Sequence, residues 1–346
     1  MKTILFRADA SAEIGTGHVM RCLAIARALS ARGAQCVFVS ACESTHTLVD
    51  ASAFPCHILA SNDSNIEHEL SAFAALLNKI RPDWVVVDHY SATDSYLRAL
   101  RAYAPVTYLD DFAEQAYPVD LVINYNIFAD ANRYAQLYPE ATPRLLGVDY
   151  APLREEFLGA PRVFREHCEN ILLSTGGADS LHIGIRLLEA LLQNPRVCDL
   201  RAHILVGAFH ADADAILQLA ERNPSIVVHQ QVSQMAELMC ACDLAVSAAG
   251  STLYELCACG IPSVCYTFVD NQLMVARGFS DAGLMQYGGD FRGDPEATIN
   301  AILEQIAILR DDVALRRELS ERMRQTVDAN GAQRIADALL GIRAAS

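Results

Sequence analysis

The feature that most restricts the fold is Asp83-Trp84-Val85-Val86-Val87-Asp88-His89-Tyr90, a continuous apolar run that closes on three polar residues. A strand that is apolar on both faces is one covered on both faces, as in a parallel sheet flanked by helices. Ligands of such open sheets bind beyond the carboxyl ends of the strands, so Asp88, His89 and Tyr90 mark the side on which chemistry is expected. A plainer alternative is open here: Asp88 caps the next helix and Tyr90 packs under the loop.

The same strand-loop-helix pattern opens the chain. Thr3-Ile4-Leu5-Phe6 leads through Arg7-Ala8-Asp9-Ala10-Ser11-Ala12-Glu13-Ile14-Gly15-Thr16-Gly17 into a helix. Its residues Val19, Leu23, Ala26 and Leu29 fall at helical spacing, and it should stop near Gly33. Strands over 35–40, 57–60, 106–111 and 120–124, with helices over 45–51 and 66–80, bring the first half to about seven strands. Asn124 and Asn126 end a strand on the ligand side, where asparagines more commonly satisfy loop backbone. From Pro139 to Arg165 periodicity fades and Pro143, Pro152 and Pro161 accumulate, which suits an interdomain crossover.

Asn170-Ile171-Leu172-Leu173-Ser174-Thr175-Gly176-Gly177-Ala178-Asp179 restarts the alternation, followed by a helix over 182–192. Strands over 203–207, 225–229, 243–249 and 262–267 alternate with helices, and two last helices are expected over 295–310 and 311–329. The 346 residues suit roughly two domains. The expected division is 1–150, a crossover over 151–165, a second domain over 166–330, and a helix and tail over 331–346. The fold class is α/β, with two doubly wound Rossmann-like domains facing across a cleft.

Of the residues, 52% are hydrophobic and 20% charged, and the net charge is -15. This describes a globular chain and argues against a general nucleic-acid or anionic-membrane binder. The absence of a membrane-length apolar run or a signal-like start points to the cytoplasm. The 11 cysteines suit buried free thiols in a reducing compartment. Cys240/Cys242 and Cys257/Cys259 have a spacing that separates them on helices, so no metal centre is expected from them. Asp212 and Asp214 fall at a helix start, where carboxylates are favoured anyway.

The glycine loop before His18 is neither a dinucleotide fingerprint, whose third glycine is replaced by Met20, nor a phosphate loop with Gly-Lys-Ser/Thr. It could be only a tight turn with His18 capping a helix. At a helix's first turn, the dipole disfavours the protonated imidazole, leaving a neutral ring that can act as a base.

Arg7-Ala8-Asp9-Ala10 with Ile14-Gly15-Thr16-Gly17-His18-Val19-Met20-Arg21-Cys22 resembles the opening of the nucleotide-sugar hydrolases of pseudaminic acid biosynthesis. That family looks like a branch of the B-type glycosyltransferase (GT-B) fold and removes UDP from a diacetamido-trideoxy-altrose. The resemblance implies His18 as catalytic base, Tyr90 in the sugar pocket, and Arg7, Asp9, Gly15, Gly17 and Asp88 around the substrate. Gly250-Ser251-Thr252-Leu253-Tyr254-Glu255 looks like the nucleotide turn of UDP-sugar enzymes of this fold. There the first helical N–H groups and the hydroxyls of Ser251 and Thr252 could hold a diphosphate, and Glu255 the ribose. A capping box built from Ser251 or Thr252 and Glu255 is the bland alternative. Gly176 and Gly177 allow close approach of UDP or make a turn. Asn271 and Gln272 resemble a sugar-contacting amide pair, although Asp270 as an N-cap would leave them on the surface.

The expected activity is hydrolysis of a UDP-sugar with inversion, as a monomer without metal or cofactor, with water activated by His18. A sugar transferase of the same fold and a non-catalytic nucleotide-sugar-binding protein are the alternatives.

Overall fold

In the computed structural model, which describes residues 1–346 apart from 12–14, 42, 60–64, 162–163, 178, 208–209 and 342–346, the apolar runs become parallel strands. Ile14 of the glycine loop, Ala60 at the expected end of the third strand, and Ala178 lie outside the described residues. The chain divides into two compact units, Met1–Arg154 with Asn330–Ser346, and Glu155–Ala329.

The first unit runs β1 (Thr3–Ala8), α1 (Gly17–Ala31), β2 (Gln35–Ser40), α2 (Glu43–Asp50), β3 (Cys56–Ile58), α3 (Leu70–Ile80), β4 (Trp84–Asp88), α4 (Asp94–Arg101), β5 (Val106–Leu109), β6 (Leu121–Asn124), α5 (Ala131–Leu137) and β7 (Arg144–Leu146). Its sheet has the order β3-β2-β1-β4-β5-β6-β7, all parallel. The chain winds outward from β1 to β3, then restarts at β4 on the other side of β1. That reversal between β1 and β4 is a topological switch point. The helix expected over 66–80 opens instead with a tighter 3-10 turn, Ile66–Glu69. Asn65 Oδ1 accepts the Glu67 N–H there, and the buried Glu69 reaches Arg7.

The second unit runs β8 (Asn170–Ser174), α6 (Ile183–Gln193), β9 (Arg201–Val206), α7 (Ala213–Arg222), β10 (Ile226–Gln230), α8 (Met235–Ala241), β11 (Leu244–Ala248), α9 (Thr252–Cys259), β12 (Ser263–Thr267), α10 (Asp270–Asp281), β13 (Gln286–Asp290), α11 (Pro295–Asp311) and α12 (Val313–Thr326). The strand order is β10-β9-β8-β11-β12-β13, again all parallel, with its switch point between β8 and β11. Two strands stand outside the sequence expectation. Short β7 occupies the start of the region assigned to the crossover. In β13, Gln286-Tyr287-Gly288-Gly289-Asp290 carries no apolar alternation because α11 packs directly on it. A Cβ on Gly288 would stand 2.4 Å from Ile302 Cγ1.

The last helix, α13 (Gly331–Leu340), returns to the first unit and lies against α1. Ala332, Ile335, Ala336 and Leu339 join the core formed by Val19, Ile25 and Leu29 beneath β1 and β2. This explains why α1 is apolar around most of its girth, since it is covered from two sides. Lys2 Nζ donates to the Leu340 carbonyl at 3.0 Å, and Arg32 Nε to Asp337 at 2.5 Å. Among the described residues the cysteines are free; most are buried or partly so, whereas Cys198 is exposed. No helix among them is long and apolar enough to cross a membrane.

The seat of α13 gives a direct test. A Cβ on Gly331 would meet Ala151 O at 2.2 Å and Ala151 N at 2.5 Å, both backbone atoms that cannot swing aside. Gly331→Ala is expected to cost about 2 kcal/mol of unfolding free energy, read as a lower urea midpoint. An unchanged midpoint would contradict this seating.

Candidate active site

The switch point of the first unit brings together the ends of β1 and β4. The chain leaves β1, passes the glycine loop and enters α1, whose second residue is His18. His18 Nδ1 lies 2.5 Å from Asp88 Oδ1, and Asp88 is the last residue of β4. Arg21, one helical turn beyond His18, holds the same carboxylate: its Nε donates to Oδ2 at 2.6 Å and its Nη2 to Oδ1 at 2.5 Å. The guanidinium also donates to Asp111 at 3.1 and 3.0 Å and to the Tyr125 hydroxyl at 2.8 Å. Asn126 Nδ2 donates to Asp111 at 3.1 Å. The network therefore collects the carboxyl ends of β4, β5 and β6 under the first turn of α1.

Burial of Asp88 works against its ionisation, but the charges and hydrogen bonds of Arg21 and His18 outweigh it and hold the carboxyl well below the usual carboxylate range. Burial likewise opposes the charge on Arg21, and Asp111 and Asp88 reverse the balance. Burial pushes the Tyr125 phenol up to about 12, so its hydroxyl stays intact as a partner for Arg21. An anionic Asp88 facing Nδ1 favours the proton on that nitrogen. The imidazole then has Nε2 as the nitrogen able to accept a proton. Tyr90 stands edge-on to the His18 ring, with centroids 4.5 Å apart and planes at 82°, and is 46% exposed. His18 is thus held from beneath by charge and bordered at the surface by an aromatic ring.

Three residues assigned to the substrate are buried and have partners within the protein. Asp88 is only 1% exposed and bonds to His18 and Arg21, so it fixes the His18 ring; the cap of α4 is Thr93, whose hydroxyl accepts the Tyr96 N–H. Arg7 is equally buried, donating to both Glu69 oxygens at 2.6 and 2.8 Å and lying 2.8 Å from Asp9. Asp9 accepts from Ser40 Oγ and the Ala41 N–H and pairs with His89 Nε2 at 3.2 Å. Burial opposes its ionisation too, but His89, Arg7 and Ser40 hold it well below the carboxylate range. These groups form a buried clamp on the loops. Gly15 is partly buried and Gly17 exposed.

In the second unit the residues assigned to the nucleotide also flank a switch point. Gly176 and Gly177 follow β8 and are exposed; Gly250, Ser251, Thr252 and Glu255 follow β11. Ser251 is the N-cap of α9 but makes no side-chain capping hydrogen bond, so the capping box is not formed through it. The exposed Ser251 hydroxyl and the helix N-terminus are suited to an anion. After β12, Asn271 is exposed, while Gln272 Oε1 accepts the Phe268 N–H at 2.9 Å. Half of the expected amide pair is therefore partly committed to its own loop. Asp270 is not the cap, a place held by Val269, and pairs with Arg292 at 2.5 Å.

Asp212, set aside in the sequence, has its carboxylate within 4.8 Å of ligand atoms of Asp179 and His210. His210 Nδ1 already accepts the Asp212 N–H at 3.2 Å, and Asp179 accepts the N–H groups of Ile183 and Gly184. The trio therefore clamps the loops after β8 and β9. Asp214 is exposed.

Two residues of the network escaped the sequence reasoning, Arg21 and Asp111, whereas Tyr125 belongs to the strand end already expected on the ligand side. Arg21 lies in the His18 motif at helical i+3 spacing and Asp111 follows β5, so their positions carried a signal. Their side-chain partners did not.

Asp9 and Asp88 set an acid limit. Both are ionised more easily when folded than when unfolded, so their stabilisation is complete above the unfolded carboxylate range, about pH 4, and is lost as pH falls through the lower folded values. The melting temperature should fall from pH 5 to 2.5, with a shallower slope in Asp88→Asn. Equal slopes in scanning calorimetry would contradict this assignment.

No family model matches the chain. It is 26% identical over 339 residues to the spore coat polysaccharide biosynthesis protein SpsG of Bacillus subtilis, covering 95% of each chain. It is 24% identical over 284 residues to the UDP-2,4-diacetamido-2,4,6-trideoxy-beta-L-altropyranose hydrolase of Campylobacter jejuni, covering 81% of this chain and 97% of that one. Among solved structures, MurG of Acinetobacter baumannii superposes with a TM-score of 0.70 at 17% identity, over 99% of this chain and 100% of that one. The fold is that of the GT-B glycosyltransferases, with two Rossmann-like sheets of parallel strands.

Proposed function

We propose that the chain acts on a nucleotide sugar and hydrolyses it at the anomeric carbon. The observation that carries this reading is the buried Asp88 carboxylate shared between His18 and Arg21 at a switch point of a parallel sheet. It presents one imidazole as a base, with its other nitrogen already engaged. In the proposed reaction His18 Nε2 takes a proton from water as the water oxygen bonds to the anomeric carbon. The bond from that carbon to the diphosphate breaks in the same step, and its electron pair leaves with UDP. The configuration inverts because attack and departure occur on opposite faces.

The second unit's role is to hold UDP. Charge developing on the leaving diphosphate is met by the N-terminus of α9 with Ser251 and Thr252, and Glu255 accepts from the ribose hydroxyls. A leaving group stabilised in this way needs no partner acid of the glycosidase kind. The substrate is proposed to be the UDP-diacetamido-trideoxy sugar named for the Campylobacter jejuni relative, and the product a precursor of pseudaminic acid. The SpsG relative leaves room for another surface polysaccharide sugar within the same chemistry.

The test is UDP release with water as the only acceptor. His18→Ala is expected to lower kcat by about 10²- to 10⁴-fold while UDP affinity stays within about twofold, because its proposed binding residues belong to the other unit. Glu255→Ala should show the reverse pattern, weakening UDP binding about tenfold, as loss of a charged hydrogen bond implies. Near wild-type turnover in His18→Ala would overturn the assignment of the base. Turnover that appears only with a sugar or lipid hydroxyl acceptor would replace hydrolysis by transfer.

A further inference from the structure

We propose that His203 and His229 form a site for one borderline-soft divalent ion such as zinc, which clips the edge strand β10 to β9. The site lies in the second unit and is independent of the nucleotide-sugar reading. β10 ends the strand order and is hydrogen-bonded to β9. Side chains alternate along β9, so Ala202, Ile204 and Val206 are buried on one face, while Arg201, His203 and Leu205 stand open or half-open on the other. In register, Val227 faces His203 and His229 faces Leu205, which sets both imidazoles on that open face. His203 Nδ1 and His229 Nε2 are 2.9 Å apart, and the ring planes meet at 17°.

The hydrogen bonds fix which nitrogen carries a proton. His203 Nε2 is 3.1 Å from Asn170 Oδ1, an atom that only accepts, so this nitrogen bears the ring proton. The lone pair of His203 Nδ1 is thereby turned toward His229, whose Nε2–H it accepts. Burial holds both imidazoles below the usual histidine range; at His203 the charges of His229 and Arg201 act the same way, and Asp243 opposes them. Both rings are thus neutral, the form in which imidazole binds a metal. Metal-bound histidines commonly pass their other ring proton to a carbonyl, as His203 does to Asn170. Asn170 is itself held, its N–H donating to the buried Asp243 carboxylate at 2.9 Å.

Two nitrogens each about 2.0–2.1 Å from a tetrahedral zinc ion stand about 3.3 Å apart. The 2.9 Å pair therefore opens by about 0.4 Å, which small rotations of two side chains supply. On binding, His229 releases its Nε2 proton and takes one at Nδ1, so the ring stays neutral, and water fills the remaining positions. Imidazole suits zinc, copper and nickel, whereas magnesium demands oxygen. The Asp179, His210 and Asp212 trio lacks this arrangement, because His210 Nδ1 accepts the Asp212 N–H and its Nε2 keeps the proton.

The test is calorimetric titration of the untagged full chain at neutral pH with Zn²⁺, and with Mg²⁺ for comparison. The wild type should bind one more equivalent of Zn²⁺ than either His203→Gln or His229→Gln, and Asn170→Ala should weaken that equivalent about tenfold. Mg²⁺ should give no such difference. In the wild type, Zn²⁺ should also protect His203 and His229 from diethyl pyrocarbonate, read by mass spectrometry, a measurement that requires no variant to fold. The same zinc stoichiometry in the wild type and both histidine variants, or equal modification of the two rings with and without zinc, would overturn the site.

Discussion

One carboxylate, Asp88, faces the Arg21 guanidinium and the His18 imidazole in a place closed to water. Removing a charge from water is costly, and a buried pair is stable only if its hydrogen bonds are well met. Here they are met from three strand ends and one helix turn. Loss of one member would leave the others uncompensated, at a cost of roughly 3–5 kcal/mol. The same constraint that stabilises the loops therefore fixes the ring of His18. Precision in the placement of His18 comes from the scaffold and not from the glycine loop alone.

Both units place their candidate residues by the same topological device. In each sheet the chain winds outward from a central strand and then restarts on that strand's other side, leaving two neighbouring loops that diverge. In the first unit this divergence holds a histidine over an acid. In the second it leaves a helix N-terminus whose Ser251 side chain makes no capping bond to its own helix. One arrangement is suited to moving a proton and the other to receiving negative charge, although the backbones are built alike.

Most of the strands were legible because a strand covered on both faces must be apolar throughout. The strands that escaped show the limit of that signal. Arg144-Leu145-Leu146 is too short to rise above its proline-rich surroundings. The pair Gly288-Gly289 exists because α11 approaches too closely for a side chain, a cause that lies about a dozen residues away in sequence. At the site, the position of His18 and its motif could be read, but the burial of Arg7, Asp9 and Asp88 could not. A charged residue at a strand end looks the same in sequence whether it faces a ligand or a partner of opposite sign. Only the partners, Glu69, His89 and Arg21, drawn from distant segments, decide which it is.

The return of α13 to α1 makes the first unit discontinuous: its core is completed by a helix that follows the whole second unit in sequence. During synthesis on the ribosome the sheet around His18 must wait for that helix, while the second unit is already wholly translated. The half carrying His18 is therefore the last to reach its final form, and an interrupted translation product would retain the second sheet without a finished first one.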